Sequence, residues 1–181
     1  MIINREAVKE GYIELMSNMN AAYHLTIVFP ANTPALECRK LLNMLIKNLN
    51  RKIYKKRYDQ GKSCIQGVAV RERTPELSTD HFHMIIENSN SLPGYERFDA
   101  LLKHQIQLLG GNSRYGTPKK NYIADYKLQN YYNSGDNKLE AYLTKNFNAL
   151  GRPLDLIIDD IGIMGDSVMF GEPMLRVASR W

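Results

Sequence analysis

Two strand-like runs, CIQGVAVRE (64–72) and HFHMIIE (81–87), are separated only by the polar stretch RTPELSTD. A connection this short makes an antiparallel hairpin the economical way to join them. Side chains alternate along a strand, so Phe82, Met84 and Ile86 share one face and His81, His83 and Ile85 the other. The first set reads as core. The second places two imidazoles side by side, and each ring nitrogen must be hydrogen-bonded, solvated or bound to a metal.

Around this pair the chain alternates between helical and strand periods. Residues 4–18 suit a short helix, and the β-branched, aromatic AAYHLTIVF (21–29) suits a strand. ANTPALECRKLLNMLIKNLNRKIY (31–54) is a long amphipathic helix. Its apolar Leu41, Leu42, Leu45, Ile46, Leu49 and Ile53 recur at helical spacing, Asn32 or Thr33 is placed to cap it, and Pro34 fits its first turn. GYERFDALLKHQIQLL (94–109) is a second helix stopped by Gly110 and Gly111, and NYIADYKLQ (121–129) suits another strand. After the break NSGD, NKLEAYLTKNF (137–147) reads as a last well-formed helix. The order β, α, β, β, α, β, α points to an α+β domain, a mainly antiparallel sheet with helices packed against one face. The tail from Leu154 mixes apolar residues with Gly and Asp in no clear period and is left unplaced.

A chain of 181 residues without repeats or linkers is read as a single domain over 1–181, large enough for a core without disulfides. Cys38 and Cys64 form no Cys-x-x-Cys pair, and no run approaches a membrane span, so a soluble, reduced, cytoplasmic setting with no membrane partner is expected. The net charge of +5 is weak evidence for nucleic acid, but its distribution is more telling. Arg51, Lys52, Lys55, Lys56 and Arg57 cluster with Tyr54 and Tyr58, and Arg114, Lys119 and Lys120 share the glycine-rich stretch 110–120 with Tyr115. Such groups can neutralise phosphates and stack on unpaired bases; they are equally compatible with a solvated helix end and a surface loop.

Two histidines at i and i+2 are spaced to share a metal ion, although ordinary hydrogen bonding also accommodates them. A register placing Glu72 opposite His81 would bring a carboxylate to both imidazoles, with Glu76 in the connecting loop as a substitute. Glu72 could also be a plain solvent-facing strand residue. On the last helix Tyr142 and Lys145 stand three apart and share a face. A lysine there favours the phenolate and screens a phosphate, unless the ring simply packs on the sheet and the lysine reaches into water.

The run from about residue 23 to 147 resembles the HUH endonucleases of rolling-circle replication, the Rep initiators of plasmids and single-stranded DNA phages. HLTIVF (24–29) is similar to the family's first strand motif, HFHMII (81–86) to its His-hydrophobic-His motif, and AYLTK (141–145) to its Tyr-x-x-Lys motif, in the family's order. The resemblance implies an HUH/RRM-like sheet related to the ferredoxin-like fold, with His81, His83 and Glu72 as ligands of Mn²⁺ or Mg²⁺. It implies Tyr142 as nucleophile and Lys145 as its helper. Tyr131 and Tyr132 precede the NSGD break, so a single-tyrosine enzyme is expected, and His24 and His104 match no ligand position.

The activity so implied is nicking and rejoining of single-stranded DNA through a 5′-phosphotyrosyl intermediate, initiating rolling-circle replication in a bacterial host cell. The DNA, single-stranded or an origin hairpin, would be held partly by Lys55, Lys56, Arg57, Arg114, Lys119 and Lys120. The chain has no P-loop motif, so a host helicase and polymerase are expected partners. Residues 150–181 would be an extension of unknown role. A transposase or relaxase of the same superfamily, or a non-catalytic nucleic-acid-binding module, are the alternative readings.

Overall fold

The computed structural model describes residues 4–74, 79–110, 121–132, 136, 138–149, 151–165, 168–170 and 172–173. Its elements run α1 (Arg5–Ser17), β1 (Ala21–Val28), α2 (Ala35–Tyr54), α3 (Lys56–Asp59), β2 (Gly67–Thr74), β3 (Thr79–Glu87), α4 (Tyr95–Leu109), β4 (Asp125–Asn130), α5 (Lys138–Leu143), a 3-10 turn (Lys145–Asn148), α6 (Leu154–Ile158), β5 (Ile161–Met164), β6 (Val168–Met169) and β7 (Glu172–Pro173). Five strands form one sheet in the order β4-β1-β3-β2-β5, and every neighbouring pair is antiparallel. The domain is α+β, with the expected hairpin of β2 and β3 at the centre of its sheet.

The register of that hairpin sets Glu72 opposite His81 and Val70 opposite His83. Alternation then decides the faces. Tyr23, Leu25 and Ile27 of β1, with Phe82, Met84 and Ile86 of β3, are buried in one cluster with Leu41, Leu42, Leu45, Ile46 and Leu49 of α2 and Phe98 and Leu102 of α4. The long helix begins one residue later than its sequence suggests. Pro34 takes the cap position with no side-chain bond, because the Thr33 hydroxyl donates instead to the Pro30 carbonyl at 2.7 Å.

Helices cover both faces of the sheet, not one. Met16 of α1 and Leu143 of α5 pack on Val68, Val70 and Ile85, joined by Tyr12, Leu139 and Tyr131. These apolar residues are sparse and irregularly spaced, so the sequence pattern alone does not announce a second packing face. The unplaced tail also enters the fold: β5 pairs with β2 along Gly67–Val70. Asp160, just before it, is 4% exposed and receives Arg39, Arg71 and Arg152, while its carbonyl accepts the Arg71 amide at 2.8 Å. Gly67, at φ 151, is required where β2 lies closest to β3, since a Cβ there would stand 2.1 Å from the Ile85 carbonyl oxygen.

The last helix is shorter than expected. α5 stops at Leu143, where the Thr144 hydroxyl turns back to the Glu140 carbonyl at 2.9 Å and the chain tightens into the 3-10 turn. A hydroxyl bonding its own preceding turn competes with continued helix. Arg5 then collects the carbonyls of Ala149, at 2.9 Å, and Arg152, fixing the exit of this segment against α1.

Candidate active site

The face under α1 and α5 is apolar at one end and polar at the other. Beyond Val70 and Ile85 towards the hairpin tip, alternation presents Glu72 of β2 and His81 and His83 of β3, with His24 and Thr26 of neighbouring β1 on the same side. α5 and its 3-10 turn bring Tyr142 and Lys145 over this polar end. The two do not share a regular helix, yet they meet on one group. Tyr142 Oη donates to Glu72 Oε2 at 3.0 Å, and Lys145 Nζ donates to Glu72 Oε1 at 2.5 Å.

His83 Nε2 lies 3.3 Å from the same Oε2. It is out of line for a hydrogen bond to it, so this buried nitrogen has no hydrogen-bond partner. The other ring nitrogen, Nδ1, is 3.2 Å from Thr26 Oγ1. The His83 ring stacks on His24 at 5.7 Å between centroids and meets the Tyr142 ring edge-on at 5.9 Å. Lys145 Nζ sits 3.9 Å from the centre of the Tyr142 ring, within cation–π range. Tyr142 remains 46% exposed.

Electrostatics follow from this packing. Burial works to raise the Glu72 carboxyl, but hydrogen bonds from Lys145 and Tyr142 outweigh it and hold it below the usual carboxylate range. Burial pushes the His83 imidazole down, against the opposing pull of Glu72, and the neutral ring is the form that offers a lone pair. His24 is lowered further, to about 4, by burial and by its neighbours His83 and Lys127. For Lys145, burial is outweighed by its bonds to Glu72 and Tyr142, so its ammonium is retained above the ordinary range.

Of the metal ligands expected from the sequence, Glu72 and His83 are brought together, while His81 Nε2 is turned to Thr79 Oγ1 at 3.1 Å. Among the described residues no three His, Cys, Asp or Glu side chains converge closely enough to hold a metal as they stand. The donor set nonetheless suits a divalent ion, because a buried imidazole nitrogen without a partner faces a carboxylate. Glu76, Arg114, Lys119 and Lys120 lie outside the described residues. Lys55, Lys56 and Arg57 are not at this site. They follow Tyr54, whose hydroxyl meets Ser89 Oγ at 3.1 Å, and so mark the other end of β3 and the other face of the sheet.

Two neighbours of the site were not expected. His24 is a strand residue, as its sequence suggests, but it forms one wall for His83, and Thr26 holds the ring's other side. The signal was present in HLTIVF, where His24 and Thr26 alternate against Leu25 and Ile27; only the pairing of β1 with β3 makes it legible. Tyr131 is committed elsewhere: its hydroxyl donates to Glu140, itself 3% exposed, and burial with that carboxylate raises the phenol well above its usual range. Tyr132 is 89% exposed and precedes α5.

No protein-family model, curated protein or solved structure matches this chain. Among the described residues no helix is long and apolar enough to cross a membrane.

Proposed function

We propose that this protein is a metal-dependent nuclease of the HUH type that nicks and rejoins single-stranded DNA through Tyr142, in the initiation of rolling-circle replication. The observation that carries the reading is the convergence of Tyr142 and Lys145, from the α5 segment, and His83, from β3, on the single carboxylate of Glu72. A phenol and a lysine serving only as packing would not need to share one acceptor that also faces a buried imidazole nitrogen.

In this reading His83 and Glu72, with His81 if it turned from Thr79, would hold Mn²⁺ or Mg²⁺. A cation held there would supply Lewis-acid polarisation of the scissile phosphate. Tyr142 Oη attacks phosphorus, the bond from phosphorus to the 3′ oxygen breaks, and the proton lost by the phenol balances the one gained by the new 3′-hydroxyl. The product is a 5′-phosphotyrosyl ester, whose energy is conserved for rejoining. Lys145, already against the Tyr142 ring, offsets the negative charge that builds on the attacking oxygen and the phosphate. Thr26 and the His24 ring fix the orientation of His83, as partners of a ligating imidazole do. Lys55, Lys56 and Arg57, on the other face of the sheet from Tyr142, would grip flanking DNA.

The test is incubation with single-stranded DNA and Mn²⁺, with and without chelator, followed by denaturing electrophoresis and peptide mapping. A chelator-sensitive covalent band mapping to Tyr142, absent in Tyr142→Phe, is the expected result. An adduct on Tyr131 or Tyr132, or nicking that persists in Tyr142→Phe, rules the assignment out.

A further inference from the structure

Both oxygens of Glu72 are already engaged, Oε1 by Lys145 and Oε2 by Tyr142, while the unpartnered His83 Nε2 stands 3.3 Å from Oε2. The carboxylate suited to a metal is therefore the one that holds the nucleophile. We propose that Glu72 is a latch: without a divalent cation it ties down Tyr142 and Lys145, and when it joins His83 in taking the cation it surrenders both groups to the scissile phosphate. The latch rests on the metal-dependent tyrosine reading above and adds to it an order of events, in which metal binding precedes release of the nucleophile.

Three features support this. The histidine side of the site is preformed, since the His83 ring is held between Thr26 and His24, which leaves the Glu72 side as the part that rearranges. Tyr142 and Lys145 are coupled through the ammonium over the ring, so releasing one disturbs the other. Both side chains are also partly exposed, Tyr142 at 46% and Lys145 at 40%, so they can swing off Glu72 without moving the buried Leu143 and Phe147. Electrostatics act in the same direction. An ammonium at 2.5 Å from Oε1 and a dication on the same carboxylate repel, which favours letting the ammonium go once the cation is held.

The latch makes metal affinity depend on a hydroxyl that is not itself a ligand. Calorimetric titration with Mn²⁺ on the full chain reads this directly. Tyr142→Phe alters no charge and removes the competitor for Oε2, so Mn²⁺ should bind roughly threefold to tenfold tighter, the weight of one hydrogen bond to a charged group after solvent screening. Lys145→Ala should tighten binding further, and His83→Ala should abolish it. Wild-type affinity or weaker in Tyr142→Phe, with His83→Ala still binding nothing, overturns the latch and leaves the nuclease reading intact. A wild-type protein that takes up no Mn²⁺ overturns both. As a second readout, the Tyr142 ζ-carbon resonance in ¹³C-tyrosine-labelled protein should shift on adding Mg²⁺ to wild type and stay fixed in His83→Ala. A resonance unmoved in wild type at saturating Mg²⁺ also overturns the latch.

Discussion

The two faces of the sheet use the same alternation for opposite ends. Under α2 and α4 the strand positions Leu25, Ile27, Phe82, Met84 and Ile86 are apolar, the polar Arg71 and Asp80 pair with each other at one end, and the rings of Phe29, Phe82 and Phe170 meet edge to face at 5.4–5.6 Å. Under α1 and α5 the apolar cluster stops halfway, and the same face goes on to carry His24, Thr26, Glu72, His81 and His83. The first face supplies stability by excluding water from a large area. The second spends part of its area on polar groups that bond one another, which a fold tolerates only when the other face is well packed.

Mutations that separate the faces test this contrast, and the largest effect belongs to the polar one. His83→Ala should abolish the covalent DNA adduct altogether while moving the denaturant midpoint little, because the ring leaves behind no unpaired charge. An adduct yield near wild type would remove His83 from the chemistry. Phe82→Ala is its mirror image. It should cost about 3–5 kcal/mol of stability, the usual penalty for truncating a buried aromatic, yet leave adduct formation per folded molecule unchanged. If Phe82→Ala instead eliminates adduct formation in protein that remains folded, the faces are not independent.

A smaller effect concerns charge and pH. Cys38 of α2 is fully buried on the core face, and burial together with Asp80 pushes its thiol up to about 12. The native thiol thus stays protonated where an unfolded one ionises. Its contribution to stability is complete below the ordinary thiol range and is lost as pH rises from there towards 12. Native protein at about pH 8, near the ordinary thiol range, should accordingly show Cys38 silent to thiol reagents until denaturant is added, and rapid labelling of Cys38 would place it outside the closed face. The smallest effect is expected from reversing Lys55, Lys56 and Arg57 together. DNA affinity should fall, and the slope of log K against log salt should flatten by roughly 0.7 for each single-strand phosphate that is no longer neutralised, with adduct chemistry on saturating DNA unaltered. An unchanged slope would take the DNA path away from the end of α2.

Much of this arrangement was legible beforehand because period and turn chemistry are local. The α2 stripe, the β2–β3 hairpin, its Glu72–His81 register and the placing of Tyr142 near Lys145 all follow from spacings of a few residues. Three things were not legible, and each is non-local. The second packing face depends on Met16 meeting Ile85 and Leu143. The role of β5 depends on three arginines closing on Asp160. The company of His83 depends on strand order, which puts β1, rather than a strand adjacent in sequence, on its other side. The sequence also suggested helix through Lys145, and the hydroxyl of Thr144 decided otherwise.

The pairing of β5 with β2 also has a consequence for the protein as it is made. β2 leaves the ribosome with β3 close behind on one side, but its other edge has no strand to meet until residues 161–164 arrive. At translation rates of about 5–20 residues per second, the wait lasts on the order of 5–20 s. An open edge invites pairing with a neighbouring nascent chain, and alternating charge is a recognised deterrent. Arg71, Glu72 and Arg73 continue the strand just past the Gly67–Val70 stretch that β5 covers, a charged run beside the open edge.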